Sequence, residues 1–92
     1  MERYSSRKVD DLGRIVLHSE LRNKLGLGTG AKVALTVVDS IVVMQRMDTG
    51  DCEVCELGMI TLPVEVRHMF GWVAKSEIAV YQTDLLLIMK TA

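Results

Sequence analysis

Five basic residues lie close together near the start of the chain, and their side chains are the ones best suited to chemistry. They are Arg7, Lys8, Arg14, Arg22 and Lys24. An arginine presents a planar fork of N–H donors that fits a phosphate or a guanine edge, and phosphate contacts would add salt-dependent affinity. Asn23 is a weaker addition, since asparagine can pair with adenine. The alternative is a solvated charged surface held by local ion pairs.

The two cysteines are the other reactive side chains. Cys52 and Cys55 form a C-x-x-C pair, which supplies two ligands, whereas structural zinc takes four and would need a second chain. On an extended strand the two thiols would also point to opposite faces. We expect plain reduced thiols rather than a zinc or redox site, and we expect no cofactor. Neither His18 nor His68 has the spacing of a catalytic site, so we expect no enzyme activity.

Charge separates the chain into two halves. Residues 1–46 contain eight basic and five acidic residues, a net charge of +3, whereas residues 47–92 contain three and seven, a net charge of −4. Such a split indicates a surface that faces a polyanion. Apolar runs are far shorter than the ~20 residues that span a bilayer, and the first residues lack the apolar segment of a secretory signal. We expect a soluble, cytoplasmic protein with no membrane partner.

The chain contains one motif twice. A shift of 45 residues aligns residues 7–47 with residues 52–92 without a gap, and 11 of the 41 pairs are identical. This alignment divides the chain into repeat 1 over residues 1–47, a link over residues 48–51 and repeat 2 over residues 52–92. A unit of about 40 residues cannot bury its strands alone, so we expect the two repeats to share one core. The alternative is that each repeat pairs with the same repeat of a second chain.

Each repeat predicts the same elements in the same order. Strands are expected at residues 6–9, 14–17, 32–38 and 41–46, and again at 53–54, 59–62, 77–83 and 85–90. One short helix follows the second strand, with Ser19 as the N-cap in repeat 1 and Pro63 in the first turn in repeat 2. Gly26 and Gly71 stand where a helix ends on glycine. The last strand of each repeat is continuously apolar, which predicts burial on both faces.

The basic run belongs to a longer pattern. Arg7-Lys8-Val9-Asp10-Asp11-Leu12-Gly13-Arg14, followed by Glu20-Leu21-Arg22 and by Leu25-Gly26, resembles the DNA-binding domain of the AbrB/SpoVT family of bacterial transition-state regulators. The resemblance implies a mainly β fold, a swapped-hairpin double-split β-barrel, here built from two tandem repeats with one short helix each. The MraZ proteins are similar in carrying two copies per chain.

The same resemblance implies a function. It implies a nucleoid-associated transcriptional regulator that binds double-stranded DNA, with Arg7, Lys8, Arg14 and Arg22 facing the duplex. A homodimer or a higher homo-oligomer is expected, because one chain offers one basic repeat, and no small-molecule substrate is expected. The MazE antitoxins share this barrel, so a protein-interaction module, such as an antitoxin or an assembly domain, is the alternative function.

Repeat 2 departs from the pattern at its basic positions. Cys52, Glu53 and Met59 align with Arg7, Lys8 and Arg14, and in repeat 1 His18 stands where the family has proline. Repeat 2 is therefore expected to be chiefly scaffold. Arginine is present at the equivalent positions Arg22 and Arg67 of both repeats, including the acidic one. Two roles are therefore expected equally for Arg22, a contact with DNA and a structural role.

Overall fold

The computed structural model describes residues 2–92, with side chains from Ser5 onward. Within these residues the fold is mainly β, with eight strands and two short helices. Repeat 1 contains β1 (Glu2–Lys8), β2 (Arg14–Val16), α1 (Ser19–Leu25), β3 (Lys32–Val38) and β4 (Ile41–Arg46). Repeat 2 contains β5 (Cys52–Glu53), β6 (Met59–Thr61), α2 (Val64–Phe70), β7 (Glu77–Gln82) and β8 (Leu86–Thr91). The predicted order of elements is confirmed, and neither helix is long and apolar enough to cross a membrane.

Strands of the two repeats are interleaved in one curled half-barrel sheet. Each repeat contributes a hairpin, β3–β4 or β7–β8, and its first strand joins the hairpin of the other repeat. Thus β1 pairs with β7, β5 pairs with β3, and the order across the sheet is β1-β7-β8-β4-β3-β5. The remaining strands, β2 and β6, pair with each other in a separate two-stranded sheet, called the ribbon below.

A pseudo-two-fold axis relates the two repeats. The shift of 45 residues converts each strand pairing of one repeat into a pairing of the other. Two pairs convert into themselves, Ile15 with Ile60 in the ribbon and Val43 with Ile88 between β4 and β8. The axis therefore passes through the centre of the ribbon and through the centre of the large sheet.

Both repeats build the core. Among the side chains that the structure describes, eight buried apolar residues of repeat 1 each have a buried equivalent in repeat 2. These pairs are Val9 and Val54, Ile15 and Ile60, Leu17 and Leu62, Leu21 and Val66, Leu27 and Trp72, Val33 and Ile78, Val42 and Leu87, and Met44 and Met89. Trp72 also stacks on Phe70, with ring centroids 4.8 Å apart. One contiguous cluster joins both repeats, which therefore bury their apolar faces against each other.

The helix starts differ from the sequence prediction by one residue. The N-cap of α1 is His18, whose Nδ1 accepts a hydrogen bond from the backbone N–H two residues on at 3.3 Å, and Ser19 is the first helical residue. A ring nitrogen here takes the role that a hydroxyl or carboxylate oxygen usually plays. Pro63 likewise precedes α2 instead of lying in its first turn. Gly26 and Gly71 end the two helices with φ of 69° and 68°, as predicted.

The prediction that the last strands are buried on both faces was wrong. In β4, Val42 and Met44 are buried, whereas Ile41 and Val43 are only half-buried. β8 has the same alternation. The reason is that both helices and the ribbon send their buried side chains into the same core, so only one face of the sheet is covered.

Candidate nucleic-acid interface

The ribbon presents one face to solvent. Ile15 and Ile60 are buried in the core, so the residues on either side of them in each strand point the other way. These outward residues are Arg14 and Val16 on β2 and Met59 and Thr61 on β6. Val16 is 43% exposed, which confirms that the face is open. Arg14 is the charged residue in this set of four, and it stands opposite Thr61.

Arg14 is held in place by Asp10. One carboxylate oxygen of Asp10 accepts from the backbone N–H groups of Leu12 and Arg14 at 2.9 and 2.8 Å, which shapes the turn before β2. The other accepts from Arg14 Nε at 2.7 Å. The backbone N–H of Arg14 is the largest cause that lowers the pKa of the Asp10 carboxyl, so this group is charged at neutral pH. The ion pair with Asp10 uses Arg14 Nε and not its two Nη groups. The Nη groups form the fork that donates hydrogen bonds to a phosphate or a guanine.

Arg7 and Lys8 lie on opposite faces of β1. Arg7 pairs with Ile78 and therefore shares the core-facing side, where it is half-buried. Its Nε is buried, and no group of the described residues accepts a hydrogen bond from it. Lys8 pairs with Glu77 and is exposed. The two predicted site residues are neighbours in sequence, but they do not belong to a single flat surface.

Arg22 and Arg67 tie each repeat to a glycine turn of the other. Arg22 Nε donates to the backbone oxygen of Leu17 at 3.0 Å, and its guanidinium packs on Gly58, where a Cβ would lie 2.7 Å from Cζ. Arg67 makes the equivalent hydrogen bond at 2.9 Å and packs on Gly13. Both glycines have positive φ, 77° for Gly13 and 72° for Gly58. The survival of arginine and glycine in both repeats thus has a structural reason, and a DNA contact by Arg22 stays a prediction.

Two of the predicted residues lie on α1, and one basic residue near the site was missed. Asn23 and Lys24 are exposed, and Lys24 stands in the last helical turn, where a positive charge is favoured. Lys75 is the missed residue. Its backbone N–H donates to the oxygen of Val9 at 2.7 Å, so it lies beside the end of β1. Lys75 belongs to repeat 2, and no local sequence signal connects it with the start of the chain.

The same place in the two repeats carries opposite charge. An open hollow of about 460 Å³ beside the ribbon is lined by Asp51 of the link and by Cys52, Glu53, Thr61, Pro63 and Glu65 of repeat 2. The equivalent positions in repeat 1 are occupied by Ser6, Arg7, Lys8, Val16, His18 and Glu20. Three carboxylates therefore line the repeat 2 side, whereas the repeat 1 side has two basic residues and a histidine against a single carboxylate.

The two thiols have different environments. Cys55 occupies the position of Asp10 in repeat 2, and hydrogen bonds from the backbone N–H groups of Met59 and Leu57 lower the pKa of its thiol. Burial, and then the charge of Asp51, raise the pKa of Cys52. Both cysteines are free, and within residues 2–92 no three histidine, cysteine or acidic side chains come together as a metal site would require.

Comparisons of the chain with protein-family models, curated proteins and solved structures found no match. A functional assignment therefore rests on the ribbon and on the charges beside it.

Proposed function

We propose that this protein is a bacterial AbrB-like transcriptional regulator that binds duplex DNA through the ribbon and the basic side chains of repeat 1. The observation that carries the proposal is the outward position of Arg14 on an open two-stranded ribbon, with its guanidinium held by Asp10. The major groove of B-DNA, about 12 Å wide, admits a ribbon of this kind, and arginine is the side chain most often used to read guanine there.

The strand exchange supports the resemblance to the AbrB family. In a swapped-hairpin double-split β-barrel, the first strand of each unit joins the hairpin of the other, and β1 and β5 pair in this way. The two tandem repeats would then complete one barrel within one chain. A homodimer of such chains, acting in the cytoplasm on the nucleoid, would present two basic faces.

The basic side chains would divide the work. Arg14 would contact base edges, while the exposed Lys8, Lys24 and Lys75 would contact phosphates, since phosphate contacts position a protein and base contacts specify the sequence. Arg22 would act mainly by holding the Gly58 turn. The assignments of Arg14 and Arg22 follow from the contacts that their side chains make, and those of the three lysines follow from their exposure.

A titration of promoter-sized duplex fragments at low and moderate salt tests the function. Arg14→Ala is expected to weaken binding roughly 5- to 150-fold, the equivalent of about 1–3 kcal/mol for a bidentate base contact. Met59→Ala is the matched control at the equivalent position of repeat 2, and it is expected to change binding less than about twofold, because no base contact is assigned to it. Equal losses in both variants, or no binding by the unaltered chain at either salt, would remove the proposal.

A second candidate function is a protein-interaction module. Val64, Met69 and Val73, on α2 and just after it, are 50%, 63% and 69% exposed. The equivalent residues of repeat 1 are Ser19, Lys24 and Gly28, none of them a large apolar residue. A Val64→Ser/Met69→Lys variant separates the candidates. If the protein binds DNA through the ribbon, this variant keeps the affinity of the unaltered chain for DNA. If the protein is an interaction module that uses this apolar surface, the variant no longer associates with its protein partner, or with a second copy of the chain, as measured by sedimentation.

A further inference from the structure

The ribbon lies on the pseudo-two-fold axis, yet its two sides carry different chemistry. Arg14 and Met59 are equivalent outward residues of β2 and β6. Lys8 and Glu53 are equivalent exposed residues of β1 and β5. The backbone of the interface is thus nearly symmetric, while its side chains are not.

This mismatch has a consequence for the DNA site. A palindromic duplex has a two-fold axis, and a symmetric protein matches it by placing the same side chains on both halves. Here one half of the duplex would contact the guanidinium of Arg14. The other half would contact the thioether of Met59, which cannot donate a hydrogen bond to a base. The carboxylate of Glu53 would also repel the phosphates on that side.

We propose that each ribbon binds a non-palindromic stretch of duplex, reading one half of it through Arg14, and that Met59 and Glu53 leave the other half unread. The proposal rests on the DNA-binding function proposed above. It assigns a role to the divergence of repeat 2: the loss of arginine and the gain of carboxylates determine which sequences are bound.

The repeat itself supplies the variant that tests this idea. Asp10 holds Arg14 in repeat 1, and Cys55 occupies the position of Asp10 in repeat 2, next to the same two backbone N–H groups of its turn. A Cys55→Asp/Met59→Arg variant therefore transplants the complete pair onto the other side of the ribbon. Glu53→Gln is the second variant, because it removes the repelling charge at an exposed position and leaves the turn unchanged.

The experiment uses three duplexes. The first is the shortest natural fragment that the chain binds, trimmed by footprinting, and the other two are palindromes built from each of its halves. The unaltered chain is expected to bind the natural fragment and one palindrome within about threefold, and the other palindrome at least about tenfold more weakly. The double variant is expected to prefer the stronger palindrome over the natural fragment by about tenfold, the value of one additional arginine–guanine contact. Glu53→Gln should shift the same preference by a smaller factor.

Other results would overturn the proposal. If a single chain bound per duplex, as judged by sedimentation, already prefers a palindrome over the natural fragment by about tenfold or more, the value of an arginine–guanine contact on each half, both sides of the ribbon read DNA. A second such result is that the double variant folds, as judged by circular dichroism, while neither it nor Glu53→Gln binds the stronger palindrome more tightly than the unaltered chain does. In that case residues 53, 55 and 59 do not limit the recognition of DNA. If the unaltered chain binds none of the duplexes or their parent fragments, the proposed function itself fails, which is a different outcome from either of these.

Discussion

Replacing Gly13 with alanine tests the contact that joins the glycine turn of one repeat to the arginine of the other. Gly13 has φ of +77°, and a Cβ built there lies 2.6 Å from Arg67 Cζ. The left-handed conformation costs an L-residue about 1–2 kcal/mol. The guanidinium must also move, which endangers its 2.9 Å hydrogen bond to the backbone oxygen of Leu62, worth about 1.5–3 kcal/mol for a charged donor. The expected loss in the free energy of unfolding is therefore about 3 kcal/mol.

Gly71 provides the matched control. It has nearly the same conformation, with φ of +68°, but a Cβ at this position would have no neighbouring atom within 4 Å. Gly71→Ala should therefore lose only the backbone contribution, about 1–2 kcal/mol. The same small loss is expected when Gly13→Ala is introduced into an Arg67→Ala background, because the clash is then absent.

Urea unfolding, followed by the fluorescence of Trp72, measures these differences. Trp72 is the single tryptophan of the chain, and it is buried in the shared core, so its emission reports global unfolding. The midpoint for Gly13→Ala should fall well below that for Gly71→Ala at an unchanged m-value. Equal midpoints, or a loss from Gly13→Ala that persists in the Arg67→Ala background, would refute the packing of arginine on glycine as the cause.

Two further predictions concern the titrating groups. Iodoacetamide at neutral pH should modify Cys55 faster than Cys52, because backbone N–H groups lower the pKa of the first thiol and burial raises that of the second. Peptide mass spectrometry measures both rates, and equal rates would contradict the assignment. Asp10→Asn should destabilise the protein at pH 7 but much less in acid, because a carboxylate with a lowered folded pKa stabilises fully above its unfolded value of about 3.9 and loses this effect as pH falls through its folded pKa. Urea midpoints at neutral and at acidic pH test this, and a constant difference between variant and parent would count against it.

Much of the local structure could be predicted from the sequence. The hairpin strands β3 and β4 match the predicted residues 32–38 and 41–46, and the helices end on Gly26 and Gly71 as expected. These features depend on short-range spacing and on backbone conformations that glycine favours. The start of α1 was less predictable, because the capping acceptor is the ring of His18 rather than an oxygen.

The candidate site was predictable only in part. Arg14 was recognised from the basic run, and the structure places it outward on the ribbon. The role of Asp10 in orienting it, and the separation of Arg7 from Lys8 across β1, require the turn and the strand pairing. Lys75 reaches the end of β1 through a backbone contact with Val9, which lies in the other repeat, and no local pattern reveals such a contact.

The sequence by itself determined the repeat, the order of elements within each repeat and most of the positions that are buried, because these follow from alignment, local spacing and hydrophobic alternation. Only the tertiary structure decided which strands of the two repeats are neighbours, since alternation says which face of a strand is buried and not what lies beside it. In the folded chain β1 pairs with β7 and β5 pairs with β3, and Arg22 and Arg67 pack on the glycine turns of the opposite repeats. This pairing also brings the basic side of repeat 1 and the acidic side of repeat 2 to the two flanks of one ribbon.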